Sequence, residues 1–313
     1  MRFSMGWGFE ETRPAGGAAK RKGVGARSVN AVNFMAQTKH QIQSLLTEAD
    51  ATPRQNLGQN FMIDLNLVRL VAQAGRVEPG DLVIEVGPGT GTLTEELLVT
   101  EASVLAVEID KSLGEVLQSR FESNQKFALI RGDALASKHA LNESLLVAIK
   151  GAKSAGQTVR LVANLPYNIA SPLIIELLIA GVDCLAFTVQ REVADRMRAK
   201  PDSKQYGTLA IMVQLLSTVE VLRTLPKQAF WPMPKIESAL VRLTRNDRLG
   251  DRAGEFGTFV RQIFSFRRKT LRNALGMAGL DAEGLLSKMA VDPQSRPENL
   301  SPETYLEIFG LDD

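Results

Sequence analysis

Short runs of apolar, often β-branched residues recur along the middle of the chain and alternate with amphipathic stretches. Five such runs span residues 82–86, 104–107, 127–130, 159–163 and 184–189. Nearly continuous apolar runs of this length are typical of strands buried on both faces, and their alternation with helices favours a parallel sheet. Two later runs, 219–222 and 239–243, predict two further strands, the last of them antiparallel through a hairpin. We therefore predict an α/β protein with a Rossmann-like, mostly parallel seven-stranded sheet.

The rest of the chain divides around this α/β region. Residues 1–32 are rich in Gly and Arg without apolar periodicity, which predicts disorder, and residues 34–49 show a short helical pattern. Residues 251–308 have only helical patterns. We expect an extension over residues 1–52, an α/β domain over 53–247 and a small all-helical domain over 248–313. Met35 is a possible alternative start of the protein.

Composition excludes several classes of protein. The chain has one cysteine, Cys184, and two histidines, His40 and His139, so we expect neither a disulfide nor a metal site. No apolar stretch is long enough to span a bilayer, so no membrane partner is expected. Residues 191–280 carry 17 Lys and Arg against eight Asp and Glu, whereas residues 54–190 carry 11 against 15. This uneven charge favours a phosphate-rich partner, with a solvated basic surface as the other interpretation.

A glycine-rich turn follows the first predicted strand of the sheet. The sequence from Gly87 to Gly91 is GPGTG, and it allows the backbone, at Gly87 and Gly89, to approach a ligand at a helix N-terminus. The second strand ends at Glu108, which can accept ribose hydroxyls, and the third leads to Asp133, which can accept an adenine amino group. Because parallel strands end at one edge of a sheet, these residues are expected to line one nucleotide-binding crevice. By themselves they fit a dinucleotide equally well.

The fourth strand ends in a motif of different chemical character, Asn164-Leu165-Pro166-Tyr167. An adenine amino nitrogen is a poor nucleophile, and oxygen acceptors aimed at its two hydrogens favour its attack on an electrophile. Asn164 offers a side-chain carbonyl and Leu165 a backbone carbonyl, while Pro166 fixes the turn without adding a donor. Tyr167 offers a flat face on which an extruded base can stack. The motif predicts direct methyl transfer from a sulfonium to adenine, driven by proximity and electrostatics, and its alternative is an ordinary turn.

Five motifs in this order resemble those of the KsgA-type small-subunit ribosomal RNA adenine dimethyltransferases, over roughly residues 53–310. They are GQNF from Gly58, EVGPGTG from Glu85, NLPYNI from Asn164, FWPMPKIES from Phe230 and FRRKTLRN from Phe266. The resemblance implies a class I methyltransferase fold that uses S-adenosylmethionine. It also implies that the C-terminal helical domain binds RNA.

The same resemblance implies roles for further side chains. Gly87 would approach the methionine end of the cofactor, and Asn164 would contact both the cofactor and the target amino group. Phe187 would face Tyr167 across the target base, although its apolar surroundings in the sequence are more typical of a core residue. Three residues would close over the cofactor from the N-terminal side: Gln59, Asn60 and Met62.

For the substrate, the resemblance implies two adjacent adenosines in the 3′-terminal hairpin of 16S ribosomal RNA, dimethylated at N6 during small-subunit biogenesis. The partner would be the pre-30S subunit, and we expect a cytoplasmic monomer. The basic segment and its surroundings supply the residues expected to hold RNA: Arg191, Lys235, Arg267, Arg268, Lys269 and Arg272. The last four are expected on one helix, where they can follow one phosphate track.

Other functions remain open at this level. The nearest alternative is adenine methylation of large-subunit ribosomal RNA, as in resistance methyltransferases, although Leu165 and the basic stretch 266–273 favour the small subunit. A ribosome-assembly or transcription factor without catalytic activity is a second alternative, but it has no use for the motif at 164–167. An NAD-dependent dehydrogenase is a distant third, because no plausible hydride-transfer His or Tyr accompanies the crevice.

Overall fold

The computed structural model describes residues 37–54, 57–246, 248–289 and 291–311, in which strands and helices are numbered in chain order. The strands are β1 (Phe61–Met62), β2 (Leu82–Val86), β3 (Ser103–Glu108), β4 (Phe127–Arg131), β5 (Leu135–Ser137), β6 (Ala140–Leu141), β7 (Val159–Asn164), β8 (Cys184–Gln190), β9 (Ser217–Leu225), β10 (Phe230–Trp231) and β11 (Ser238–Arg245). The helices are α1 (Lys39–Glu48), α2 (Leu65–Ala74), α3 (Thr92–Leu98), α4 (Lys111–Phe121), α5 (Glu143–Ser154), α6 (Ala170–Ile179), α7 (Arg191–Met197), α8 (Thr208–Leu216), α9 (Ala253–Ser265), α10 (Leu271–Met277), α11 (Ala282–Lys288) and α12 (Pro302–Leu311).

Seven strands form one sheet in the order β4-β3-β2-β7-β8-β11-β9. The five strands from β4 to β8 run parallel, and β11 lies antiparallel to both β8 and β9. This confirms the predicted mostly parallel sheet, and each of the seven apolar runs falls inside an observed strand. The chain moves from β2 outward through β3 to β4, then returns to place β7 on the other side of β2. Such a switch in strand order opens a crevice at the carboxyl edge of the sheet.

The hydrophobic core continues from the sheet into the C-terminal helices. Helix α8 is apolar on all sides and buries Ile211, Met212 and Val213 completely, as expected for a helix with no solvent face. Helix α9 packs on it with the helically spaced side chains predicted to form a face, and Phe256 and Ile263 are fully buried. One cluster of buried residues therefore includes both regions. The domain boundary between residues 247 and 248 stays a prediction.

The predicted N-terminal helix is present as α1. Thr38 and Gln41 form a reciprocal capping box at its start, which satisfies backbone donors that a helix end leaves unpaired. Ile42 and Leu46 are buried in a small cluster with Leu113 of α4. The predictions for residues 1–32 and for Met35 lie outside the described residues.

The prediction of one basic helix across residues 266–273 is wrong. Helix α9 ends at Ser265, and Arg267, Arg268 and Lys269 lie in a turn before α10. After this turn, α10 begins at Leu271, which is completely buried and whose backbone N–H donates to the Ser295 carbonyl at 2.7 Å. Tertiary contacts of this kind can override the local helical tendency of a stretch.

A two-stranded ribbon covers the sheet edge where the crevice opens. Strand β1 pairs antiparallel with β10, so Phe61 lies opposite Trp231 and Met62 opposite Phe230. The rings of Phe61 and Trp231 are stacked with centroids 6.3 Å apart. This ribbon holds the segment 57–62 above the ends of the parallel strands. Among the described residues, no helix is both long enough and apolar enough to cross a membrane.

Candidate active site

A cavity with about 920 Å³ of empty space, part of it open to solvent, lies at the carboxyl edge of the sheet. Its walls come from the turn after β2, the ends of β3, β4 and β7, and the segment 57–62. The predicted cofactor-binding residues all line it: Gln59, Asn60, Met62, Gly87, Gly89, Glu108, Asp133 and Asn164. The structure therefore brings together every residue that the sequence assigned to the cofactor.

Two features of the turn after β2 require glycine: its backbone conformation and the close approach of neighbouring side chains. Gly87 and Gly89 have φ angles of 70° and 62°, in the left-handed region that side chains disfavour. A Cβ on Gly89 would lie 2.8 Å from the Phe61 ring, and a Cβ on Gly87 would lie 3.1 Å from Pro166. The absence of side chains thus lets β1 and the motif after β7 close in around the cavity.

Glu108, at the end of β3, connects two walls of the cavity. Its Oε2 accepts the backbone N–H of Gly89 at 3.2 Å, and its Oε1 accepts that of Asp110 at 2.8 Å. Burial raises the pKa of Glu108 to about 7, although these two hydrogen bonds oppose the shift. The carboxylate is therefore fixed in position before any ribose is present to bind it.

Asp133 and Gln59 lie at the rim of the same cavity. Asp133 Oδ1 accepts the backbone N–H of Leu135 at 2.9 Å, which holds the carboxylate in a turn after β4. Gln59 Oε1 accepts the backbone N–H of Arg54 at 2.8 Å, closing the loop that leads into β1. Both side chains are thus held by local backbone contacts.

Glu85 is a cavity residue that the sequence analysis did not assign. It is fully buried within β2, where Thr94 Oγ1 donates to its Oε2 at 2.6 Å. Burial raises the pKa of Glu85 to about 8, and the nearby Glu108 adds to the shift. The available signal was a single acidic residue inside the otherwise apolar strand LVIEV.

Gln37, before α1, makes hydrogen bonds to the glycine turn that the sequence did not suggest. The buried amide of Gln37 donates from Nε2 to the Thr90 carbonyl at 3.0 Å and accepts from Thr90 Oγ1 at 2.7 Å. Arg120 also donates to the Thr90 carbonyl and pairs with Glu95. The glycine turn is therefore held from two sides.

The side-chain amide of Asn164 is held in a single orientation at the junction of two walls. Its Nδ2 donates to the Asn60 carbonyl at 2.6 Å, and its Oδ1 accepts from Thr188 Oγ1. A carbonyl can only accept, so the NH₂ group must face Asn60 and the oxygen must face Thr188. Oδ1 keeps a second lone pair, and Asn164 remains partly exposed to the cavity.

The other three residues of the motif after β7 differ in burial. Leu165 is buried, and its backbone N–H donates to the Thr188 carbonyl at 3.2 Å. Pro166 lines the cavity against Gly87. Tyr167 is half-buried, which raises the pKa of its hydroxyl, and that hydroxyl lies 2.9 Å from Ser238 Oγ.

Phe187 does not occupy the position expected of it. Its ring is fully buried within β8, and it lies between Ala163 of β7 and Val241 of β11 in the sheet. A side chain with no exposed surface cannot stack on a base in this arrangement. The structure supports the core interpretation of Phe187 and gives no support to a role opposite Tyr167.

The residues predicted to bind RNA are all exposed, and they fall into two groups along the chain. Arg191 and Lys235 lie near Tyr167, because Arg191 pairs with Glu237 at 3.1 Å and Glu237 precedes Ser238 in the chain. The other group lies at the turn before α10 and in α10 itself: Arg267, Arg268, Lys269 and Arg272. Of these, Arg272 pairs with Glu283 at 2.8 Å. Among the described residues, no cluster of His, Cys, Asp and Glu could hold a metal ion.

This chain is similar to known proteins in both sequence and fold. A family profile described as "Ribosomal RNA adenine dimethylase" matches residues 51–311. A protein called "Ribosomal RNA small subunit methyltransferase A" from Lactobacillus delbrueckii subsp. bulgaricus is 39% identical over 270 residues, covering 82% of this chain and 89% of that protein. A protein with the same description from Clostridium perfringens is 40% identical over 255 residues, covering 79% and 86%.

Two solved structures show the same fold at low sequence identity. A dimethyladenosine transferase from Plasmodium falciparum has a TM-score of 0.59 and 23% identity, over 79% of this chain and 95% of that one. The 23S rRNA methyltransferase ErmE has a TM-score of 0.55 and 22% identity, over 81% and 99%. At this identity the likeness establishes the architecture and leaves the RNA substrate open.

Proposed function

The chain belongs to the ribosomal RNA adenine dimethylase family, and we propose that it transfers methyl groups from S-adenosylmethionine to the N6 of adenines in small-subunit ribosomal RNA. The observation that carries this proposal is the amide of Asn164, which lines the cavity three residues before Tyr167 and is held in one orientation by Asn60 and Thr188. An acceptor in that place suits an amino group and has no role in a protein that only binds RNA.

The residues around the cavity fit S-adenosylmethionine. The glycine turn lines the cavity at Gly87 and Gly89, where no side chain stands between backbone and ligand, and the carboxylate of Glu108 suits a pair of ribose hydroxyls. Asp133, at the rim, suits the adenine amino group of the cofactor. When bound, the cofactor supplies a methyl group on an electrophilic sulfonium. The chain needs only to hold the acceptor in line with that methyl group.

For the acceptor, the protein supplies orientation and electrostatic stabilisation. Asn164 Oδ1 accepts one N6 hydrogen, and the Leu165 carbonyl is proposed to accept the other, which stabilises the positive charge that develops on nitrogen. Tyr167 provides a stacking surface for the extruded base, and its hydroxyl is anchored on Ser238. Alignment of the two reactants supplies most of the rate enhancement. The transfer leaves a neutral thioether and makes the N6 proton acidic; that proton is then lost to solvent, so no strong base is required.

The finer parts of the proposal concern substrate and partner. We place the target at two adjacent adenosines in the 3′-terminal hairpin of 16S ribosomal RNA, on the pre-30S subunit in the cytoplasm, with the enzyme acting as a monomer. The relatives named for the small subunit support this choice over large-subunit RNA. The exposed cations at 267–269 support RNA binding by the helical region 248–313.

The test is methyl transfer from labelled cofactor to unmethylated small subunits, with large subunits in parallel and nucleosides identified by mass spectrometry. We expect dimethyladenosine in small-subunit RNA only, and its loss in Asn164→Ala. Asn66→Ala, which changes an exposed asparagine in α2, is the matched control and should retain activity. Label in large subunits alone would move the substrate to the other RNA. No transfer to either subunit, despite cofactor binding, would favour the non-catalytic alternative.

A further inference from the structure

The six residues 232–237 form a loop that bridges two walls of the active site. At one end the loop follows Trp231, whose ring stacks on Phe61 of the cavity wall. At the other end it precedes Ser238, whose hydroxyl contacts that of Tyr167. The loop therefore starts beside the cofactor side of the site and ends beside the proposed base-stacking residue.

This loop is anchored to the protein at several points. The Lys235 carbonyl accepts a hydrogen bond from Lys227 Nζ, and the Glu237 carbonyl accepts from the backbone N–H of Arg191 at 3.0 Å. The Glu237 carboxylate also pairs with Arg191. Pro234, in the middle of the loop, is buried. Two prolines in six residues further restrict the backbone, so the loop presents its remaining side chains in fixed positions.

This anchored loop exposes two apolar side chains beside the charged side chains of Lys235 and Glu237. Met233 is 63% exposed and Ile236 is 37% exposed, on either side of the exposed cation Lys235. Single exposed apolar residues are common on protein surfaces. Here, however, two of them stand on a rigid loop at the mouth of the site, next to the lysine proposed to contact phosphate.

We infer that Met233, with Ile236 beside it, is an apolar wedge that occupies the gap left in the RNA stack when the target adenine is extruded. The inference rests on the proposed function, since a wedge is needed only where a base leaves its stack. Extrusion removes stacking contacts on both sides of the base, and an inserted apolar side chain restores part of that contact. Met233 is thus a positioning residue that does not touch the reacting atoms.

A wedge makes a prediction that a purely structural role does not. Its contribution should be large for an adenine stacked within a hairpin and small for an adenine in an unstructured strand, where little stacking is lost. We expect Met233→Ala to lower kcat/KM on a short hairpin RNA by roughly ten- to a hundredfold, the range expected from losing one buried methionine contact. On an unstructured RNA of the same composition the change should stay within about twofold. Met233→Leu, which keeps an apolar side chain, should restore most of the hairpin activity.

The control is Met277→Ala, because Met277 is a comparably exposed methionine, at 56%, on helix α10. It should leave both substrates unaffected. Base extrusion is read separately from 2-aminopurine placed at the target position of the hairpin, whose fluorescence rises when it unstacks. We expect the wild-type protein and Met277→Ala to produce this rise and Met233→Ala to lose most of it, with cofactor affinity unchanged in all three.

Two results would overturn the inference. One is an equal loss of activity by Met233→Ala on the hairpin and the unstructured RNA, which would indicate a general defect of the loop. The other is an equal fluorescence rise for Met233→Ala and the wild-type protein. The fluorescence signal needs no methyl transfer. A wild-type protein that transfers no methyl group would therefore contradict the proposed function. The 2-aminopurine fluorescence would still show whether Met233 is needed for base extrusion.

Discussion

Replacement of Glu85 by Gln should flatten the dependence of folding stability on pH. Burial raises the pKa of Glu85 to about 8 in the folded protein, from 4.5 for an exposed carboxyl. Between these values the folded protein keeps a proton that the unfolded chain has lost, so unfolding releases a proton. The free energy of unfolding therefore falls as the pH rises through this window and levels off above it.

The magnitude follows from the size of the shift. One proton changes the free energy of unfolding by about 1.4 kcal/mol per pH unit. Between about pH 5 and about pH 8, ionisation of Glu85 should lower the free energy of unfolding of the wild-type protein by about 3 kcal/mol. The Gln variant has no such group and should not show this loss. Gln is close in shape to Glu and keeps a carbonyl oxygen that can accept from Thr94 Oγ1, so the packing should be conserved.

The assay is urea denaturation at a series of pH values across this range, with stability taken from the midpoint and slope of each curve. Glu115→Gln is the matched control, because Glu115 is exposed on helix α4 and should leave the pH dependence unchanged. Parallel stability–pH curves for the wild-type protein and Glu85→Gln would refute the reasoning, because they would mean that Glu85 is ionised in the folded protein at neutral pH.

Three further predictions concern the cofactor site and the RNA. The ionised carboxylate of Glu108 accepts ribose hydroxyls more strongly than its protonated form does, and burial raises its pKa to about 7, so affinity for S-adenosylhomocysteine should rise with pH below about 7 and level off above it. Calorimetric titration across that range measures this, and a flat profile would contradict it. Gln37→Ala removes two hydrogen bonds to Thr90 and should lower the free energy of unfolding by about 1–3 kcal/mol, with weaker cofactor binding, whereas an unchanged urea midpoint would show that the contact is dispensable. The double change Arg267→Ala and Arg268→Ala should reduce the slope of log K against log salt for RNA binding by about 1.4–1.8, and an unchanged slope would remove this turn from the interface.

Most of the fold could be predicted because its signal is local. The strands at residues 82–86 and 159–163 carry continuous apolar runs, and burial on both faces of the sheet requires such runs. The positions of Glu108 and Asp133 in the cavity wall could be predicted for a related reason. Each stands at the end of a strand, and the topology of a parallel sheet places those ends together.

What could not be predicted depends on contacts between distant parts of the chain. The hydroxyls of Tyr167 and Ser238 meet across 71 positions, and β1 pairs with β10 through only two residues each, too short for any periodicity. The basic stretch 266–273 has helical composition, yet a turn at residues 266–270 separates α9 from α10 within it. Phe187 was assigned from motif likeness, and only its burial in the sheet shows that its ring faces the core.

The reversed direction of β11 has a consequence for how such a protein can diversify. Because β11 runs against β8, its first residue, Ser238, lies beside Gln190 at the edge where the cavity opens. The loop 232–237 thus reaches the mouth of the site from a stretch of chain outside the lining of the cofactor cavity. With this loop as the proposed wedge, substitutions in it would alter how the RNA is held and would leave the residues that line the cavity unchanged. Contact with the RNA and the shape of the cavity can therefore be varied independently.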